Sequence, residues 1–274
     1  MMEVLQLEFM QRALIAGLLV SVACGVIGTY VVVNRIVFIS GAIAHAAYGG
    51  IGLGYYLGAN PVLGAILFSV GAALAMGVVK RRTHDRADTV IGMMWAIGMA
   101  VGIIFVDLTS GYAADLMSYL FGNILTVPWS DLLIMALLDI VVLVLVAAFY
   151  KELLAISFDE TYASAANVRV DAIQLLLFCL VALTVVMLMR VVGLILVIAL
   201  LTMPAAIGEQ FTVNLKRMML ISVTLGAVFT TMGLWLSYLL DLTSGATIIL
   251  TCAAGYLVSM LYKTVARHRL RTSL

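Results

Sequence analysis

Charge is what this sequence has least of. Asp, Glu, Lys and Arg make up 11% of its 274 residues, where a soluble globular chain carries about 25%. Hydrophobic residues make up 65%, and the mean hydropathy is +1.19. A soluble domain is excluded. Cysteine is also scarce: Cys24, Cys179 and Cys252 each lie inside an apolar run. Their odd number and wide spacing leave no disulfide framework and no paired metal-ligand motif, so they read as small packed hydrophobes. The motifs of nucleotide chemistry are missing too. No G-x-x-x-x-G-K followed by Ser or Thr occurs, so the chain has no P-loop of its own. Neither G-x-S-x-G nor H-E-x-x-H is present. The N-terminus, with Glu3 and Glu8, lacks the basic start of a secretory signal. An enzyme built on this chain would need its site inside the membrane. Only His45, Asp139 and Glu209 are candidates there, and they show no nucleophile–base spacing. No nucleic-acid partner is expected.

What is present is a series of long apolar runs. Backbone groups in lipid must bond internally, which leaves helices or a closed barrel. Barrel strands alternate polar and apolar over about ten residues; these runs are longer and apolar on every face. The chain therefore reads as an all-α integral membrane protein, a polytopic bundle of eight or nine transmembrane helices in one domain covering residues 1–274. The predicted spans are 11–33, 36–58, 61–79, 90–106, 131–150, 172–190, 191–208, 218–240 and 246–262. Arg190 and Gly193 leave almost no loop between the sixth and seventh, so one of that pair is predicted to be short or re-entrant. Nine alternating spans put every Lys and Arg except Arg12 and Arg190 on one side. The positive-inside rule makes that side, and the C-terminus, cytoplasmic.

The second run, Ile36 to Gly58, has no acidic or basic side chain. Ala42, Ala46, Gly50, Gly54 and Gly58 recur at steps of four, a smooth ridge that lets another helix approach closely. Beside it, Gly41, His45 and Gly49 set an imidazole between two gaps in the side-chain surface. A histidine at membrane depth faces the bundle interior or a wet cavity. Two readings stay open: a structural hydrogen bond, or a cation ligand, since imidazole suits zinc and other first-row metals. Asp139 is mid-span, where a carboxylate costs about 2.5–3.5 kcal/mol on insertion scales. It too is either structurally paired or part of a cation path. Glu209 and Gln210 are placed at the cytoplasmic interface, and the 16 methionines as filling.

Two stretches outside the spans stand out. Residues 107–131 are acidic, aromatic and too apolar for a disordered loop, so part of them is expected to dip into or lie along the surface. Their first five residues, DLTSG, recur at Asp241 to Gly245, either as the trace of a duplication or as helix-start chemistry. On the predicted cytoplasmic side, Lys151 to Asp171 contains SFDETYASAANV. Asp159 and Glu160 suit a helix N-terminus, and Asn167 can close the helix in a left-handed conformation. With Phe158 and Tyr162 exposed, this short helix would make a docking peg; lying on lipid is the other reading, disfavoured by its acidic first turn.

Taken in order, five segments resemble a known family: GAIAHAAYGGIGLG at 41–54, YLFGNILTVPWSD at 119–131, SFDETYASAANV at 157–168, VGLILVIALLTMPAA at 192–206 and SYLLDLTSGATIIL at 237–250. They resemble the permease subunits of ABC importers for zinc, manganese and iron, of the ABC-3 type, over about residues 8–262. The resemblance implies a permease-type bundle in the plasma (inner) membrane. It implies a homodimer joined by two cytoplasmic ATPase subunits, which hold the ATP, and by an extracytoplasmic metal-binding protein. It implies a transported divalent metal, zinc first and then manganese or iron, and no cofactor bound by this chain. It makes Phe158, Asp159, Glu160, Tyr162, Ala163 and Asn167 the ATPase-coupling segment, within about 151–171. His45 matches a histidine that the family places along the metal path, with Asp139 as a second candidate, while Gly41, Gly49, Gly50 and Gly54 serve helix packing. There are two departures. Many members carry an acid four residues before the histidine, where this chain has Gly41, and Gly is usual at Asn167. Two His45 rings would approach a dimer axis if the small-residue ridge lies near it. The competing reading is a stand-alone secondary cation carrier using His45 and Asp139, against which the absence of paired acids speaks.

Overall fold

The computed structural model describes residues 7–82, 87–109, 122, 124–191, 193 and 197–272, with side chains given except at 81–82, 87–88, 190–191 and 267–272. Among them there is no strand. The helices are α1 (Glu8–Val33), α2 (Val37–Tyr56), α3 (Pro61–Arg82), α4 (Ala87–Asp107), α5 (Trp129–Ala148), α6 (Tyr150–Phe158), α7 (Glu160–Ala165), α8 (Val170–Val191), α9 (Val197–Phe211), α10 (Leu215–Leu240) and α11 (Ser244–Thr272), with a 3-10 turn at Ile124–Thr126 before α5. Eight of the described helices are long and apolar enough to cross a membrane; α9, with 15 residues, is not. At about 1.5 Å per residue it spans roughly 22 Å.

Of the predicted eight or nine spans, eight of the described helices have spanning length and α9 is the short member of the predicted pair. It still carries the chain back toward the end where α10 begins. Gln210 accepts a hydrogen bond from Ser259 at 2.7 Å, and the Phe211 ring lies 6.5 Å from Tyr262 near the distal part of α11. α9 thus returns part of the way as a shortened segment, and the start of α1 and the distal part of α11 lie at opposite faces. Arg35, Lys151, Arg169, Lys216 and Lys263 gather at one face. There Asn34 donates to Ser157 at 2.9 Å, and the Lys216 ammonium sits 5.0 Å from the Tyr150 ring centre. At the opposite face the Arg12 guanidinium lies over Trp129.

Small residues decide which helices are central. α1, α2 and α8 are mostly buried, while α3, α4, α5, α10 and α11 surround them with largely exposed surfaces. On α2, a Cβ at Gly50 would collide with the carbonyl of Gly64 on α3, and one at Gly52 with that of Gly102 on α4. The predicted ridge therefore packs on α3 within the chain, through Gly50 and Gly54, and is not free for a second copy. Gly58 is not part of it. It follows the end of α2 in the left-handed conformation (φ 63°), closing the helix, with nothing within 4 Å of an added Cβ.

A second seam joins α1 to α9 and α10. Gly25 accepts the backbone of Val223, and Gly28 the Leu201 carbonyl. Between them run hydroxyls: Ser21 and Thr230 lie 3.4 Å apart, and Thr29 and Ser222 3.4 Å apart. Each hydroxyl at this seam other than Thr230 also donates to a carbonyl four residues back on its own helix, so the buried polar atoms are satisfied in lipid. The two DLTSG copies differ. Asp107 ends α4, with residues after Thr109 outside the described set. Asp241 caps α10 in the left-handed conformation (φ 52°), and Ser244 begins α11. Most of the surface-lying segment predicted between 107 and 131 falls outside the described residues.

Candidate functional site

His45 lies mid-way along α2 and is half-buried. Its Nδ1 donates to the Gly41 carbonyl at 2.9 Å. A carbonyl only accepts, so Nδ1 carries the proton and Nε2 of the neutral ring keeps the lone pair that a metal needs. The imidazole stacks on Trp95 of α4, with ring centres 4.1 Å apart, and Phe38 follows Trp95 at 5.7 Å. The gaps predicted beside the imidazole are filled by neighbours. A Cβ at Gly41 would meet Ile198 of α9 at 2.8 Å and Trp95 at 3.2 Å; one at Gly49 would meet the Gly98 carbonyl at 2.8 Å and Phe68 at 2.9 Å. The glycines serve close packing around the histidine. An acidic side chain at position 41 would have to displace Trp95 or Ile198.

Asp139 occupies the stripe of α5 that also carries Leu132, Met135, Val142 and Val146, all buried. Its side chain is 4% exposed and Oδ1 has no hydrogen-bond partner among the described residues. Cys24 of α1 is within its electrostatic reach. α5 packs on α1 and α8, and α2 on α3, α4 and α8, so the structure does not bring Asp139 and His45 into one cluster. Among the described residues no group of three or more His, Cys, Asp or Glu side chains could hold a metal ion. Glu209 is exposed at the end of α9, at the face expected for it.

The segment after α5 is more completely built. α6 buries Leu153 and Ile156 and is anchored by Ser157, which accepts from Asn34 in the α1–α2 turn. Asp159 breaks the helix with an extended backbone and caps α7, its Oδ1 accepting from the amides of Thr161 at 2.8 Å and Tyr162 at 3.0 Å. These bonds, the Tyr162 amide foremost and Thr161 next, hold the Asp159 carboxyl below the usual carboxylate range. At the other end Asn167 is left-handed (φ 61°). Its amide donates to Ser164 at 3.1 Å, and that of Val168 to Ala163 at 3.0 Å, a Schellman closure. Glu160 accepts a long bond from Gln174 at 3.4 Å. Ala163 is fully buried beneath the helix, while Phe158 and Tyr162 are 65% and 67% exposed. The result is a short helix fixed at both ends on a packed base, with two aromatic rings outward. Sequence reasoning missed Asn34, Ser157 and Trp95. A lone Asn after an apolar span and a Ser before an acidic pair were the only signs of the first two, and Trp95 gave none.

The profile of a family described as the ABC 3 transport family matches residues 6–263. An uncharacterized membrane protein of Synechocystis is 56% identical over 96% of this chain and 94% of its own. The manganese transport system membrane protein MntC of Listeria monocytogenes is 36% identical, covering 94% of this chain and 92% of its own. Among solved structures, PsaBC from Streptococcus pneumoniae in complex with Fab superposes with a TM-score of 0.86 at 34% identity, covering 94% of this chain and 93% of that one.

Proposed function

The chain belongs to the ABC 3 transport family, and from that premise we propose that it is the membrane-spanning permease of an ABC importer for a divalent transition metal. The metal passes through the bundle as substrate. Energy comes from a separate ATPase, since no P-loop sequence occurs in this chain. The observation that carries the coupling is the α6–α7 peg. An exposed aromatic pair, Phe158 at the end of α6 and Tyr162 on the six-residue α7 that is capped at both ends, is costly to leave in water and suits a preformed partner cleft. The partners in this reading are two ATPase subunits at the peg, an extracytoplasmic metal-binding protein at the opposite face and a second copy of the permease. The basic face is cytoplasmic.

His45 is the metal-facing group of this chain, through Nε2. With no group of three or more His, Cys, Asp or Glu among the described residues, it acts as a way-point on the path, and a symmetry mate or water completes the shell. The names of the relatives weigh toward manganese. Zinc is the second reading, favoured by an imidazole with no carboxylate four residues before it. Asp139 serves the path from a separate position.

Replacing Phe158 and Glu160 by Ala and Lys should abolish co-purification of the ATPase while the permease keeps its melting temperature; unchanged co-purification would refute the docking role. In liposomes holding the full complex, His45→Ala should cut manganese or zinc uptake without loss of assembly. Full-rate uptake by the permease alone would instead establish a secondary carrier.

A further inference from the structure

The face that carries the basic residues has a cleft of about 680 Å³ where α5 ends, α6 begins and α10 begins. Tyr150, Lys151 and Glu152 form one wall, Lys216 and Met219 the other, and Ala147 and Ala148 of α5 the edge toward the bilayer. We propose that this cleft binds the headgroup of an anionic phospholipid, with the acyl chains running along the α5 and α10 surfaces beside it. The site is independent of the metal path.

Charge points to an anion. Lys151 and Lys216 are both exposed, and among the described residues neither is ion-paired, in contrast to Arg12, which pairs with Glu8. Glu152 offsets one of the two charges, leaving the cleft net positive. Lys216 is held over the Tyr150 ring, with the ammonium 5.0 Å from its centre, so its position is set before any ligand arrives. α10 also begins here. Its cap residue Asn214 satisfies the Arg217 amide through its side chain and the Met218 amide through its carbonyl. The Lys216 amide has no partner inside its own helix, and the positive end of a 26-residue helix lies at the cleft. A phosphate diester is an anion that two ammonium groups and a helix N-terminus can hold together.

Position points to a lipid. The cleft opens at the level where apolar helix gives way to polar turn. Leu220, one turn into α10 from Lys216, is 69% exposed, and Val144, one turn before Ala148 on α5, is 59% exposed. A headgroup among the lysines would therefore put its chains against apolar surface. Tyrosine and lysine at this depth are the side chains that anchor to headgroups.

The test uses the purified full-length chain in nanodiscs and native mass spectrometry, with phosphatidylglycerol and phosphatidylcholine as probes. The wild-type chain should retain phosphatidylglycerol preferentially. The Lys151→Gln, Lys216→Gln double variant should lose that preference by roughly 25-fold, at about fivefold per lysine, with phosphatidylcholine retention unchanged. The Lys151→Arg, Lys216→Arg variant should restore it, which separates charge from folding. Equal phosphatidylglycerol retention by the Gln variant and the wild type overturns the proposal. So does full displacement of the lipid by inorganic phosphate, which would make the cleft a free-anion site. So does cross-linking of the Met219→Cys variant to a second copy or, in the assembled complex, to the ATPase, which would make the cleft a protein interface.

Discussion

Replacing Asp139 by Leu should make the protein more stable and less active. The carboxylate sits mid-helix in α5, 4% exposed, with Oδ1 unpartnered among the described residues. A buried polar group without its hydrogen bond costs about 1–3 kcal/mol, and insertion scales set about 2.5–3.5 kcal/mol for Asp at a helix centre. Leu adds volume, and overpacking gives back part of the gain, about 1 kcal/mol at the low end. α5 has an exposed outer face and can shift outward, so the net expected stabilisation is about 1–2 kcal/mol. At roughly 2–4 °C per kcal/mol for a chain of this size, the melting temperature rises by roughly 2–8 °C. Thermal unfolding of the detergent-solubilised chain, followed by the reactivity of buried Cys24 and Cys252 toward a thiol dye, measures this. Uptake by the reconstituted complex should fall in the same variant, because a stability cost of this size is retained where function needs it. A drop in melting temperature of several degrees would refute the reasoning: it would mean that the carboxylate has a partner whose loss costs more than its burial.

Two further outcomes follow from the packing and the peg. Gly28→Ala should lower stability by about 1–3 kcal/mol, because the new Cβ meets the Leu201 carbonyl, backbone on both sides; Gly71→Ala, with open space around its Cβ, should be neutral in the same melt. The Asp159 carboxyl, depressed by the Tyr162 and Thr161 amides, lends α7 stability that is full above the ordinary carboxylate pKa of about 3.9. That contribution is lost as pH falls through the lower folded value. Amide exchange at Thr161 and Tyr162, corrected for intrinsic rate, should accelerate on acidification below about pH 4 in the wild type and show no such step in Asp159→Asn.

The spans were legible because apolar run length reports helix length directly: 36–58 was expected and Val37–Tyr56 is found. The peg was legible for a local reason, since Asp159 and Asn167 act on amides within a few residues of themselves. What stayed hidden depends on partners far away in sequence. The spacing of Gly41, His45 and Gly49 marked a small-residue face, but only the packing of α4 and α9 decides that Trp95 and Ile198 fill it. Gly58 fitted the period of four and yet ends the helix, because the left-handed turn after Leu57 removes it from the face. The seventh span was expected at 191–208 and the described helix is Val197–Phe211; its start was obscure because apolar residues continue through 191–196 and hydropathy does not mark where a helix begins.

The bond from Asn34 to Ser157 gives the outward aromatic pair a mechanical address. Asn34 belongs to the three-residue turn whose other side is the first residue of α2, so a companion chain pressing on Phe158 and Tyr162 would load the foot of the helix that carries His45. Eight residues of unbroken helix, Val37 to Ala44, about 12 Å of stiff rod, separate that turn from the imidazole. Thrust delivered at the rim would thus arrive at the histidine as a tilt of one shaft, with no intervening joint to absorb it.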